Sequence, residues 1–239
     1  MKILKLILCG LFIVSICSAK DYWDGFTVKD IDGNIYQTIK IGDQIWTVEN
    51  LRTTHYNDGN PITLDTDSAT WGKGTDGKYC YYDNTTHPDS IKKYGALYNW
   101  YAVNSKKLAP VGWHLPTNED WEKLEAYLVE NGYNWDGTKT GNKYAKSLSA
   151  KSDWFMDKTP GSVGCDLSKN NTTGFSALPG GNRYYTGAFG NKGYYGNFWS
   201  ESDTEYTIGT FLLLPFQGEA FDWLSSQAGG NSVRVLWGY

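Results

Sequence analysis

Sulfur and imidazole are scarce in this chain. Its 239 residues include four cysteines, three histidines and two methionines, and the cysteines stand far apart at positions 9, 17, 80 and 165. No Cys-x-x-Cys pair, cysteine–histidine zinc signature or dithiol redox motif can be assembled from them. Concentrated positive charge is missing too. The net charge is −4 and no block of lysine and arginine occurs, so the electrostatic footprint of a nucleic-acid binder is absent. There is no Gly-x-Ser-x-Gly elbow, no His-Glu-x-x-His helix and no phosphate-cradling glycine loop. After the first 19 residues no apolar run reaches the ~18 residues of a membrane-spanning helix.

The first 19 residues differ in character from the rest. Lys2 and Lys5 precede an almost unbroken apolar run over residues 6–17, and Cys17-Ser18-Ala19 supplies small residues for cleavage after Ala19. A charged start, a short apolar run and a small-residue exit in that order describe a secretory signal better than an N-terminal core helix. Cys17 is also the candidate for lipidation, with Lys20-Asp21 as a polar tether; Ile16 is bulkier than lipoprotein processing favours. The expectation is a signal at 1–19 and one domain at 20–239, placed outside the cytoplasm, either freely secreted or held at the cell surface. In that oxidising setting Cys80 and Cys165 have two readings, one disulfide or two separate buried thiols.

What the chain has in abundance is glycine and aromatic side chains: 27 Gly, 11 Trp and 18 Tyr. Aromatics favour strands, and glycine favours tight turns that need positive φ. Asp-Gly pairs recur at Asp32-Gly33, Asp58-Gly59, Asp76-Gly77 and Asp136-Gly137. Residues 26–31 and 35–41 read as a hairpin around Asp32-Gly33-Asn34, with a third strand at 44–48. Residues 95–104 read as a helix. A clearer helix starts at the N-cap Thr117, carries Trp121, Leu124 and Leu128 at helical spacing, and stops near Gly132. A weaker one spans 143–149. Strands return at 198–202, 206–214 and 232–237. The fold class is therefore α+β, with strands toward both chain ends, two or three helices between them, and long loops in the last third.

Several strings in register carry a family resemblance. They are Asp30-Ile-Asp-Gly-Asn-Ile-Tyr36, Ile41-Gly-Asp-Gln-Ile-Trp46 with Glu49-Asn50-Leu51, and Tyr94-Gly-Ala-Leu-Tyr-Asn-Trp-Tyr-Ala-Val-Asn104. Gly112-Trp-His-Leu-Pro-Thr117 with Trp121, Gly174-Phe-Ser-Ala-Leu-Pro-Gly-Gly181, Phe198-Trp-Ser200 and Ser232-Val-Arg234 complete the series. Together they resemble the Fibrobacter succinogenes major paralogous domain family over about residues 28–237. That resemblance implies an exported, often lipid-anchored protein of Bacteroidetes or Fibrobacter relatives, and its function is largely unassigned. The segment from Trp113 to Trp121 also looks like the start of the helix in formylglycine-generating-enzyme-like and other C-type-lectin-like domains. This second likeness implies a C-type-lectin-like fold, with paired terminal strands and a ligand site in long loops. The chain departs from the family at Ala109 and Val235, where members commonly carry cysteine. It also lacks the reactive cysteine pair of the formylglycine enzymes, so that activity is not carried over.

Residue by residue, binding is a better reading than catalysis, and no cofactor or metal is implied. His114 reads as a hydrogen-bonded structural imidazole, and His55 and His87 as exposed. Asp30, Asp32 and Asn34 open like a calcium loop, but Ile41 stands where the closing glutamate belongs. Asp65 and Asp67 read as a solvated pair. A glycosidase would need two converging carboxylates from among Glu201, Asp203, Glu219 and Asp222. The more informative cluster is aromatic: Tyr184, Tyr185, Tyr194, Tyr195 and Trp223, with Arg183 among glycines and asparagines. Rigid aromatics beside small polar residues are what protein- and glycan-binding loops use. Phe198 and Trp199 in the same region read as core. The ligand expected is a glycan or an envelope or host protein. The competing expectations are a structural subunit of a surface assembly and a carbohydrate-active enzyme.

Overall fold

The computed structural model describes residues 26–201, 208–215 and 221–238, with backbone alone at 208–213 and 221–225. The N-terminal meander forms as expected. β1 (Thr27–Lys29) pairs antiparallel with β2 (Ile35–Ile41), and β2 with β3 (Gln44–Thr47), placing Val28 opposite Tyr36 and Ile39 opposite Trp46. Gly33 makes the turn at φ +84°, where a side chain would be strained. The Asp30 carboxylate accepts from Asn34 N at 2.8 Å, Asn34 Nδ2 at 2.8 Å and Tyr36 OH at 2.6 Å. These oxygens therefore tie the hairpin to itself, which explains Asp30 and Asn34 without a cation.

Among the described residues the strands form three small sheets. In the first, β14 (Leu236–Trp237) lies between β3 and β7 (Trp113–His114), so a C-terminal strand closes onto the N-terminal meander. The second runs β4 (Thr63–Leu64), β5 (Lys78–Cys80), β6 (Leu97–Asn99), β13 (Gly230–Asn231), β8 (Asn182–Arg183), β9 (Phe189–Gly190). The third is the meander β10 (Tyr195–Trp199), β11 (Ile208–Pro215) and β12 (Phe221–Ser226). Helices connect them: α1 (Ser68–Trp71), α2 (Pro88–Tyr94), α3 (Trp100–Val103), α4 (Asn118–Glu130) and α5 (Ala145–Leu148). None is long and apolar enough to cross a membrane, among the described residues.

The helix expected at 95–104 is only half present. Residues 97–99 are strand β6, sandwiched between β5 and β13 with Tyr98 opposite both Tyr79 and Asn231. The switch falls at Asn99, whose side chain accepts from Ala102 N and so caps α3. Apolar residues buried on both faces give no period that separates strand from helix. Residues 232–237 are likewise less regular than a strand. Only 236–237 join a ladder, while Val233 O and Val235 O accept from Leu51 N and Thr47 N.

Helix α4 is the element the sequence described best. Thr117 accepts from Asp120 N, and Asp120 Oδ2 accepts from Thr117 N at 2.9 Å, a reciprocal capping box. Trp121, Leu124 and Leu128 are buried, each worth about 1.5–3 kcal/mol for an apolar side chain of this size. They pack in an aromatic core with Trp46, Phe175, Phe198 and Trp154; Trp46 stacks on Trp121 at 4.7 Å. A second core holds Tyr36, Leu51, Tyr98, Trp100, Trp199 and Val233. Phe198 and Trp199 are fully buried, one in each core.

Buried cations tie the irregular segments together. Arg234 is buried with Nε on Asn50 Oδ1 at 2.7 Å, Nη1 on Thr47 O at 2.7 Å and Phe175 O at 2.9 Å, and Nη2 on Ser176 O at 3.2 Å. Lys78 holds Asp65 at 2.9 Å and donates to Thr70 O and Lys73 O. Asp65 is thus a buried partner rather than a solvated acid. Burial opposes its charge, but the Lys78 ammonium and Thr70 hydroxyl outweigh that and hold its carboxyl below the usual range. Asp67, the other half of that pair, accepts from Ala69 N and caps α1. Lys146 donates to Ser162 O, Asp166 O and Asn170 Oδ1. Charged donors bridging carbonyls from distant loops are strong hydrogen bonds.

Candidate functional site

The aromatic residues singled out by the sequence divide into outside and inside. β8 and β9 form a short hairpin whose loop carries Tyr184 and Tyr185, 43% and 61% exposed. Tyr184 N donates to Ala188 O at 2.8 Å, and Gly187 N to Tyr184 O at 2.9 Å. Gly187 sits at φ +87°, and a Cβ there would lie 2.4 Å from Ser68 O, so only glycine fits. The Tyr184 ring lies close over Gly190 and its hydroxyl accepts from Asn191 Nδ2 at 3.1 Å. Tyr194, 38% exposed, stacks on Phe155 with ring centroids 4.1 Å apart. Phe155 N donates to Gly193 O at 2.9 Å, which fixes the two loops side by side. Tyr184 and Tyr185 on the hairpin loop, and the Tyr194–Phe155 stack with Met156 next to it in sequence, are exposed side chains on braced backbone.

Arg183 is not exposed with them. It is 1% exposed, donates to Gly187 O at 3.0 Å and Asp65 O at 2.6 Å, and lies over the Trp71 and Phe189 rings. It supports the hairpin from beneath. In β8 the residues alternate inward and outward, and Arg183 takes the inward register. Tyr195 is half-buried, packed against the core of Tyr36 and Trp199. Trp223 lies in β12, its backbone opposite Phe211; its side chain is outside the described residues.

Among the described residues, Cys80 and Cys165 are free thiols. Cys80 is buried in β5 between Trp71 and Leu97, and burial pushes its pKa up to about 12. Cys165 is half-buried, in a loop that Lys146 anchors. Of the two readings, one disulfide or two separate thiols, the structure has the separate thiols. Cys17 and the expected signal lie outside the described residues.

His114 Nε2 meets Asp120 Oδ2 at 3.2 Å, and its Nδ1 meets Gly238 O. Both nitrogens face acceptors, the geometry of a protonated ring. The Asp120 hydrogen bond raises its pKa against the opposing effect of burial. His114 lines a 440 Å³ cavity with Lys106, Asp120 and Glu201, where Lys106 pairs with Glu201 at 2.9 Å. His55, expected to be exposed, is half-buried and paired to Asp32 at 2.6 Å, and His87 is exposed beside Asp89. Asp203 and Glu219, and the Asp222 side chain, lie outside the described residues, so their convergence with Glu201 is not described. No group of three His, Cys, Asp or Glu converges as a metal set among the described residues.

A feature the sequence reading did not single out is a cleft of about 600 Å³ between residues 131–135 and 160–172. Trp135 lines it and is 47% exposed. Its only sequence signal is a tryptophan set between turn formers in Asn134-Trp-Asp-Gly137.

Three small sheets on aromatic cores, joined by short helices, define an α+β domain. This chain belongs to the Fibrobacter succinogenes major domain family, whose model matches residues 39–234. Neither the curated proteins nor the solved structures yield a match.

Proposed function

We propose that this protein is an exported binding module, secreted or displayed on the cell surface, that holds a glycan or protein ligand on the face of Tyr184, Tyr185, Tyr194 and Phe155. The observation that carries the reading is that these rings are exposed while their loops are braced by tight hydrogen bonds and close glycine contacts. Large rings held in place lose little entropy on binding. A C-type-lectin-like arrangement is part of the proposal, supported by β14 closing onto β3 and by long loops before it. Export through residues 1–19, with Cys17 as the candidate lipid acceptor, accords with the charge and apolarity of that segment.

The test is a glycan array and polysaccharide pull-down, with a parallel capture from envelope extracts, each with and without calcium. Binding lost in Tyr185→Ala and Tyr194→Ala variants of unchanged melting temperature supports this face. Binding that both variants retain sinks it. Exposed Phe26, Ile31 and Ile35 beside the edge strand β1 favour a second reading, a subunit of a surface assembly. Concentration-dependent oligomers seen by sedimentation would support that alternative.

A further inference from the structure

We propose that the cleft beside Trp135 is a separate subsite for a neutral hexopyranose residue of a glycan. The site stands on its own geometry and does not depend on the Tyr184–Tyr194 face. Trp135 leads a loop that is wound around one buried amide. Asn134 Nδ2 donates to Thr138 O at 2.9 Å, Thr140 O at 3.2 Å and Gly141 O at 3.2 Å, and its Oδ1 accepts from Lys143 N at 3.1 Å. Trp135 N donates to Lys143 O at 3.2 Å, closing the same loop. The indole is then pinned from the other wall. Gly161, at φ +83°, approaches so closely that a Cβ would lie 2.1 Å from the ring. A tryptophan so constrained, yet half exposed in a cavity, is a preorganised flat platform.

The opposite wall is equally fixed. Lys146 gathers Ser162 O, Asp166 O and Asn170 Oδ1, so the stretch carrying Cys165, Asp166 and Lys169 is held to α5. Its ammonium is committed to these oxygens. At the rim, Asp166 and Lys169 pair at 3.3 Å, and Thr172 and Asn131 add uncharged polar groups. The rim therefore offers donors and acceptors with charges already balanced, which disfavours an ionic ligand. A pyranose presents an apolar C–H face for the indole and hydroxyls for such a rim. The volume falls in the usual range for a small-ligand pocket.

The probe is a printed array of neutral gluco-, manno- and galacto-oligosaccharides, screened with the full chain. Hits are then measured by isothermal titration calorimetry in low and high salt. The expected result is binding that changes little with salt, weakens about tenfold or more in Trp135→Ala, and weakens in Asp166→Asn. Gly161→Ala, which displaces the ring without removing it, should weaken the same hits. Tyr194→Ala should leave them unchanged. The proposal is overturned if no neutral oligosaccharide binds, if Trp135→Ala binds like the parent, or if only acidic glycans bind and salt abolishes them. Loss in Tyr194→Ala with retention in Trp135→Ala would likewise overturn the cleft while upholding the aromatic face. Thermal melts of each variant separate loss of the site from loss of the fold.

Discussion

Replacing Arg234 with methionine should remove the polar clamp that joins the chain's C-terminal segment to its N-terminal meander. Methionine keeps an apolar stem against the Phe175 and Phe198 rings, which the guanidinium overlies at 4.7 and 5.5 Å. What it removes is every donor. Thr47 O, Phe175 O, Ser176 O and Asn50 Oδ1 all lose the charged group they accept from. Asn50 cannot compensate by flipping, because its Nδ2 already donates to Tyr94 O at 2.8 Å and Ser232 Oγ at 3.2 Å. A buried acceptor left unsatisfied costs about 1–3 kcal/mol. Thr47 O and Phe175 O, the closer carbonyls, cannot both relax toward water without opening a core. The expected loss is about 4 kcal/mol, in line with breaking other buried charged contacts. Lysine should recover only part of it, about 1–2 kcal/mol, since one ammonium cannot span acceptors spread along a guanidinium fork. Urea unfolding followed by tryptophan fluorescence measures both variants. An Arg234→Met loss below about 1 kcal/mol would refute the clamp. If the methionine variant does not fold, Arg234→Lys and Asn50→Ala in a double-mutant cycle keep the question answerable, with a coupling of about 1.5–3 kcal/mol expected.

Further tests address pH, packing, capping and thiols. The His114 pKa is raised by Asp120, so the stability this pair supplies is complete below the imidazole's ordinary 6.5 and is lost as pH rises through the higher folded value. Asp120 is lowered: burial acts to raise it, but bonds from His114 and Thr117 prevail, so its contribution is lost only as pH falls through a value beneath 3.8. The pair therefore contributes fully between about pH 4 and 6.5, and urea midpoints should decline above that window in the parent and not in His114→Phe. Leu128→Ala should cost about 2–5 kcal/mol in the same assay because the side chain is fully buried in the α4 core. Thr117→Ala should cost about 1 kcal/mol through loss of the α4 cap. Under native conditions iodoacetamide should label Cys165 and spare Cys80, whose thiol is buried with its pKa pushed up to about 12; peptide mass mapping reads the outcome, and equal labelling would contradict the burial.

Much of the local structure was legible in the residues. The turn at Asp32-Gly33, the meander through Thr47 and helix α4 each rest on interactions within a few positions, where periodicity, capping and glycine act directly. The imidazole of His114 was also readable as structural, since it stands just ahead of the capping residues that hold it. Beyond that range the sequence named residue types and left their surroundings open. The segment 95–104 had apolar residues throughout, and only the neighbouring strands β5 and β13 made its first half extended. Arg183 was grouped with the tyrosines around it because proximity in sequence does not distinguish the two faces of a strand. Its partner Asp65 lies 118 positions away, and that contact turns it inward. The Trp135 cleft has walls from two stretches that contacts through Lys146, Asn170 and Gly161 help bring together. Sequence by itself determined the Asp32-Gly33 turn, the Thr117 cap, the helix α4 and the family. Tertiary structure alone decided which aromatic rings face solvent and which cations are buried, because burial depends on partners that are distant along the chain.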